Sequence, residues 1–381
     1  MTKKKNKKAN KPYKTKSEVK ILNPETFFRK IGIKPIKSER VVPEFEKAGL
    51  KGIPSFHRCN SDLKLAKIWW GGDFDEICLI ANELSNLDVP TDARVLDIGG
   101  GPGHIAFWLN HIWPDCQITV VDEYSEVGIQ WAREIGIDKV TFINDELPEI
   151  KSIESNQYDV ILLSRVLNNT AEFVLPDLFK VDWEPFSISE EGKELIRCLE
   201  NIAQALNRVM KSDGRLIVVD SWSGDRVMLV GKSFENGGLY ISLDSFDFHR
   251  VGIPHSCIVF SKSHNTGPLR DIPRALATMI MLRSGGAEFG EFAAMSFRKL
   301  FAEGQPLMEF EYHSSKHGVV RSEICEKHGL GIFYQTTSKG ARIVYVFSAI
   351  EIPAQIEGVR KIEEEIKSDG KDKIIQSVTV R

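Results

Sequence analysis

Residues 95–109 read VLDIGGGPGHIAFWL, and the reading of this stretch decides the fold. Three consecutive glycines are costly to order, because glycine loses more backbone freedom on folding than any other residue. Here they separate an apolar β-branched run from an apolar, helix-like run. A glycine-rich turn from a strand into a helix lets backbone N–H groups approach a ligand closely, and the helix N-terminus favours a negative group there.

The surrounding pattern supports that placement. ARVLDI ends as a strand at the glycines, and HIAFWLNHIW reads as a helix. QITVVD, KVTFIN, YDVILLS and RLIVVDS read as strands, with SEVGIQWAREIG a helix closed by Gly136. Residues 190–211 form the longest amphipathic helix pattern. Strand–helix alternation with near-continuous apolar strands predicts a parallel sheet covered by helices on both faces. SEICEKHGL reads as a short helix. GIFYQTT and ARIVYVFSAI, joined by SKG, read as an antiparallel hairpin.

Composition bounds the rest. The chain has 381 residues, 42% of them hydrophobic, and a formal net charge of −3, so a polyanionic partner for the whole chain is not expected. No apolar run is long enough for a transmembrane helix. The N-terminal lysines have no apolar segment behind them, so no secretory signal is expected. The six cysteines form no C-x-x-C pair, and no metal-ligand spacing appears. A cytoplasmic protein without a metal is the expectation.

Two ligand classes compete for the glycine turn. The dinucleotide fingerprint G-x-G-x-x-G, started at Gly99, meets His104 at its sixth position. Started at Gly101 it meets Ala106, with Pro102 inside the bend. The spacing that fits cleanly is Asp97-x-Gly99-x-Gly101-x-Gly103.

That spacing resembles motif I of the class I S-adenosylmethionine-dependent methyltransferases, in a GGGPG variant. The resemblance covers roughly residues 93–220 and 321–350. It implies a Rossmann-like, mostly parallel seven-stranded α/β sheet with helices on both faces and an antiparallel C-terminal hairpin. It implies S-adenosyl-L-methionine as cofactor, held by Asp97, Gly99, Gly100, Gly101 and Gly103. Asp122, or its neighbour Glu123, would take the ribose hydroxyls. Asn144 or Asp145 would stand near the adenine, and Ser164 and Arg165 at the sheet's carboxyl edge beside the sulfonium. The hairpin is a second argument against a dinucleotide. The family has no universal catalytic residue. His249, His255 and His317 are weak general-base candidates, with His313 a further one.

The expected organisation is a lysine-rich disordered tail over 1–20, an N-terminal helical cap over 21–90, and a core over 91–220. An insertion over 221–312 would cap the substrate, the core would be completed over 313–353, and a charged C-terminal tail that opens as a peripheral helix would follow over 354–381. The expected function is methyl transfer to a small-molecule acceptor through O, N or C. SRVLNN after the fourth strand lacks the N/D-P-P-aromatic sequence of base-amine methylating relatives. The acceptor pocket would draw on residues 173–189, on the insertion, and on Trp69 and Trp70 as a lid. RNA or protein methylation through the basic tail is the alternative, as is a non-catalytic cofactor-binding module. A nucleic-acid partner is the less favoured expectation, a membrane partner is not expected, and the oligomeric state has no signal.

Overall fold

The computed structural model describes residues 24–72, 74–167, 190–220, 222, 224–242, 257–264, 272–273, 276, 306–327, 330–339 and 342–381. Five helices lead in: α1 (Pro24–Lys30), α2 (Ser38–Lys47), α3 (Phe56–Asn60), α4 (Leu63–Gly72) and α5 (Phe74–Ser85). The alternating segment follows as β1 (Arg94–Ile98), α6 (His104–Ile112), β2 (Gln117–Val121), α7 (Ser125–Ile135), β3 (Val140–Ile143) and β4 (Tyr158–Ser164). Next come α8 (Glu190–Val209), β5 (Met210–Val219), α9 (Gly224–Asn236), β6 (Tyr240–Ile241) and β7 (Cys257–Ser261).

These strands form one seven-stranded sheet in the order β3-β2-β1-β4-β5-β7-β6. β1 pairs in parallel with both β2 and β4, so the strand order reverses between β1 and β4. That reversal opens a crevice beyond the strands' carboxyl ends, where ligands of open α/β sheets bind. Both faces of the sheet are covered, which is why β1 and β4 read as near-continuous apolar runs. Leu96, Ile161 and Leu163 join a core with Leu199, Ile202 and Leu206 of α8. Val95, Val160 and Leu162 join another with α6, with Trp131 of α7 and with Ile77 and Ile80 of α5. The Trp131 indole donates to the Ile31 carbonyl at 2.8 Å, tying the lead-in to the sheet's outer helices.

The seven-strand count holds, but the strands that close the sheet differ from the expected hairpin. β7 runs antiparallel to β5, and the two-residue β6 pairs antiparallel with β7. Both strands and α9 lie inside the span expected as an insertion. The hairpin itself exists as β10 (Leu330–Thr337) and β11 (Arg342–Ser348). It belongs to a second, antiparallel sheet with β8 (Met308–Ser314), β9 (Gly318–Lys327) and β12 (Lys373–Val380), in the order β11-β10-β9-β8-β12. The case against a dinucleotide therefore passes from that hairpin to β7, an antiparallel strand that the dinucleotide strand order 3-2-1-4-5-6 lacks.

SEICEKHGL is not a helix. Its first six residues lie in β9, where Ser322 to Cys325 are all buried. Burial on both faces erases the period-two alternation and leaves an apolar spacing that a helix would share. The segment 354–381, expected as a peripheral helix and a charged tail, has the helix but ends in a strand. Its first part lies in α10 (Ile352–Asp369), which ends at Gly370 with φ 66°, and its last part is β12, paired with β8. Ile352 and Val359 of α10 pack on Met308, Phe310 and Ile324 of the sheet. Cys325 and Ile332 join the core of the first sheet, so the second sheet docks directly on it.

The lysine tail, the runs 277–301 and the loop 168–189 with its aromatic residues lie outside the described residues.

Candidate cofactor site

The glycine turn follows β1 directly at the crevice. The N–H of Gly99 donates to the Val121 carbonyl at 2.8 Å, so the turn starts as an extension of the β1–β2 ladder. Gly101 has φ 55°, a left-handed conformation that favours glycine. Its N–H donates to Asp122 Oδ2 at 2.7 Å. The other carboxylate oxygen of Asp122 accepts from the Tyr124 N–H at 2.9 Å. Burial and the neighbouring charge of Glu123 push the Asp122 pKa up, and the two N–H bonds pull against that rise. Each carboxylate oxygen keeps a further acceptor site, which suits a vicinal diol of a ribose.

Asp97 lies at the inner end of the turn and is fully buried. Neither of its carboxyl oxygens has a hydrogen-bond partner among the described residues. Burial, with the charge of Asp122 second, pushes its pKa up to about 8. At neutral pH it is largely a neutral acid, with one donor and acceptor capacity to offer a ligand. A Cβ on Gly100 would stand 2.6 Å from Asp97 Oδ2 and 2.9 Å from Val120 Cγ1, so only glycine fits there.

The lead-in closes over this turn. Trp70 of α4 stacks on the His104 ring with centroids 3.7 Å apart and planes at 19°. The Trp70 indole donates to Asn60 Oδ1 at 2.9 Å. Phe56 meets both Trp70 and Tyr124 edge-on at 6.4 Å. Tyr124 Oη lies 2.5 Å from His57 Nδ1. Glu123, the alternative ribose acceptor, instead faces His57 at 3.3 Å.

The adenine-side candidates sit just past β3. Asn144 is exposed. Asp145 accepts from the Glu146 N–H at 2.8 Å, from the Ser152 N–H at 2.7 Å and from the Ser152 hydroxyl. Partial burial works to raise its pKa, but the Ser152 and Glu146 bonds and Lys151 outweigh it and hold the carboxyl below its ordinary range. Asp145 thus pins the loop that leads back to β4.

Across the crevice, Ser164 ends β4, half-buried, and Arg165 follows with φ 59°. The Arg165 N–H donates to the Val219 carbonyl at 2.9 Å. Its guanidinium pairs with Glu76 of α5 at 3.1 Å. The sequence gives Trp69 and Trp70 as an expected lid, but signals neither the stacking of Trp70 on His104 nor the contacts of Glu76, His57 and Tyr124. The position of His104 immediately after GGGPG was the one local signal.

His317 lies exposed in the β8–β9 turn of the second sheet, where its N–H meets Ser314 Oγ at 3.4 Å. His313 is exposed on the same sheet. His249 and His255 lie outside the described residues. Among the described residues no group of acidic, histidine or cysteine side chains could hold a metal, and no helix is long and apolar enough to cross a membrane. A groove of about 570 Å³ lies at the amino ends of the strands, lined by Arg94, Gln117, Lys139 and Tyr158 among others. That is the opposite end of the sheet from the glycine turn.

Comparison with known proteins agrees with this geometry. Residues 91–241 match the family described as "Methyltransferase domain". Ribosomal RNA small subunit methyltransferase G of Desulforamulus reducens is 27% identical over 154 residues, covering 36% of this chain and 64% of that protein. Release factor glutamine methyltransferase of Salmonella typhimurium is 26% identical over 162 residues, covering 41% of this chain and 56% of that protein. The chain thus spans less than two thirds of the length of these curated relatives. An O-methyltransferase family protein from Burkholderia thailandensis shares a partial structural likeness, with TM-score 0.36, 14% identity, and coverage of 54% of this chain and 63% of that one.

The residues present fit an adenosyl ligand: a glycine turn whose inner side excludes a Cβ, an orphaned buried acid at its root, and a carboxylate with spare acceptor sites one strand over. Residues 91–241 thus match a methyltransferase domain, and the class I enzymes that carry such a domain take S-adenosylmethionine as methyl donor.

Proposed function

We propose that the chain transfers a methyl group from S-adenosylmethionine to a small-molecule acceptor, through oxygen, nitrogen or carbon. When bound, that cofactor supplies a methyl group on a positive sulfur, open to in-line attack. The chain's own part is to hold and align, since orientation alone can supply several kcal/mol of a barrier. Asp122 fixes the ribose, with Gly101 holding its carboxylate in place. Trp70, Phe56 and Tyr124 of the aromatic cluster shield the turn from water. The observation that carries the reading is the Gly101–Asp122 bond at the sheet's switch point. For an acceptor that must lose a proton, His249 and His255 are the proposed bases. Scattered cysteines and the lack of a dithiol motif support a cytoplasmic setting.

The second reading is a macromolecular acceptor. It is favoured by the names of the two curated relatives, one an RNA and one a protein methyltransferase, and by the lysine-rich first 20 residues. Calorimetry with S-adenosylmethionine, S-adenosylhomocysteine and NAD tests the cofactor. Roughly micromolar binding of the sulfur ligands, lost in Asp122→Ala, and no NAD binding is the expected result. NAD binding would overturn the reading. Turnover separates an enzyme from a binding module. Salt-sensitive loss of turnover on removal of residues 1–20 would favour the macromolecular acceptor.

A further inference from the structure

His104 is the first residue of α6, directly after Gly103 of the glycine turn. Only 5% of its surface is exposed, and its Nδ1 is buried without a hydrogen-bond partner among the described residues. Leaving a buried polar atom unpaired is costly, so such an atom in a folded protein calls for an explanation. The ring is nonetheless held in one plane. Trp70 stacks on it at 3.7 Å between centroids, and the Trp70 indole N–H is itself fixed on Asn60 at 2.9 Å. Burial, and then the Arg165 charge, lower the His104 pKa to about 3, so the ring is neutral and carries one N–H.

The helix start beside the ring points the same way. The N-cap of α6 is Gly103, so no side chain caps the first N–H groups of the helix. Ile105 and Ala106 of that first turn are buried. A buried helix start without a cap needs other acceptors for its N–H groups, and it favours an anion. Asp122 and Asp97 are acids, which an anion avoids once they ionise, and the Trp70 N–H is taken by Asn60. His104 can supply a side-chain donor. It also lies within reach of a ligand seated on Asp122. Gly101, whose N–H is bonded to Asp122, stands three residues before His104, a span of at most about 11 Å. A Cβ on Gly101 would come within 4.0 Å of Trp70 Cζ2, so the indole lies along that span.

We propose that His104 binds the amino-acid end of the methyl donor. With the ribose on Asp122, the methionine part of S-adenosylmethionine runs along the glycine turn, and the His104 Nδ1–H donates to its α-carboxylate at the N-terminus of α6. The proposal rests on the cofactor reading above. Trp70 and Asn60 act through His104, as positioning residues that fix the plane of its ring.

Methylthioadenosine keeps the adenosine and the sulfur but has no amino-acid part, so it isolates the contact. Calorimetry at neutral pH would compare it with S-adenosylmethionine and S-adenosylhomocysteine on the wild type and on His104→Phe, which keeps a ring for Trp70 and removes the nitrogen donor. Melting curves would establish that the variant folds. S-adenosylmethionine and S-adenosylhomocysteine should each bind His104→Phe roughly tenfold or more weakly, as loss of a hydrogen bond to a charged group requires. Methylthioadenosine should bind it as it binds the wild type. Nitrogen NMR of the wild type should show a protonated Nδ1 on His104, with a resonance moved by S-adenosylhomocysteine and not by methylthioadenosine. That measurement decides the matter if His104→Phe does not fold. Equal weakening of all three ligands would make the ring a packing element of the turn and overturn the proposal. Undiminished binding of S-adenosylmethionine by His104→Phe, or an Nδ1 resonance that answers both adenosyl ligands alike, would do the same. A wild type that binds none of the three would instead remove the cofactor reading, and this proposal with it.

Discussion

The Trp70 indole lies flat on the His104 imidazole, 3.7 Å between centroids, with the ring N–H of the indole held by Asn60. This one stack joins the lead-in to the first residue of α6, immediately after the glycine turn. Trp70→Ala should therefore cost about 3–5 kcal/mol of unfolding free energy, the usual range for a buried tryptophan. It also strands the buried Asn60 side chain. Denaturant titration would measure the loss, and Trp70→Phe should recover part of it through stacking alone. A cost under about 1 kcal/mol would mean that the lead-in is not docked through this contact.

Asp97 predicts a pH dependence with a definite sign. Its pKa is about 8 in the folded protein, against an ordinary value of 3.8. Between those values the folded state binds a proton that the unfolded state releases. Its contribution is thus fully present below about pH 4 and is lost as pH rises through 8. Asp97→Asn keeps the shape and the neutrality. Its melting temperature should exceed the wild type's by a few degrees at pH 8, with the gap closing toward pH 4. A constant gap across that range would assign the effect to packing rather than to the proton.

How much of this was legible without coordinates depended on how local the signal was. The glycine turn and Asp122 were legible because their chemistry is written in short spacings, and the β1–β4 sheet because parallel strands form uniform apolar runs. The closing strands were not. β6 is two residues long, too short for any periodicity, and β7 is a five-residue run inside a polar stretch. The second sheet was misread because β9, buried on both sides, imitates helical spacing. The Glu76–Arg165 pair joins distant parts of the chain, and nothing in SRV signals a left-handed backbone, which Gly or Asn would have done.

Tyr124 and His57 form a further tie between lead-in and sheet. Burial, the adjacent Glu123 and the Asp122 charge raise the Tyr124 pKa, so the phenol keeps its proton at any working pH and can donate to Nδ1. Tyr124→Phe removes that donor and should cost about 1 kcal/mol. The more telling readout is local. Amide exchange in α3 should quicken while exchange in β1 and β4 stays as in the wild type. Uniform quickening across the sheet would mean that Tyr124 serves the core and not the lid.

Gly100 offers the sharpest steric test. A methyl group there would stand 2.6 Å from Asp97 Oδ2 and 2.9 Å from Val120 Cγ1. Both residues are fully buried, so neither can swing out of the way. The turn must shift instead, and it carries the Gly101 N–H off its 2.7 Å bond to Asp122. Gly100→Ala should thus cost about 1–3 kcal/mol, as overpacking does, and reduce S-adenosylmethionine affinity by about a hundredfold or more, a loss of roughly 2.7 kcal/mol. Gly358 is the matched control. It lies exposed in α10 with nothing within 4 Å of an added Cβ. Gly358→Ala should stabilise the helix by roughly 0.5–1 kcal/mol and leave binding unchanged. If Gly100→Ala bound the cofactor as tightly as Gly358→Ala, the close approach of the turn to Asp97 would have no part in forming the site.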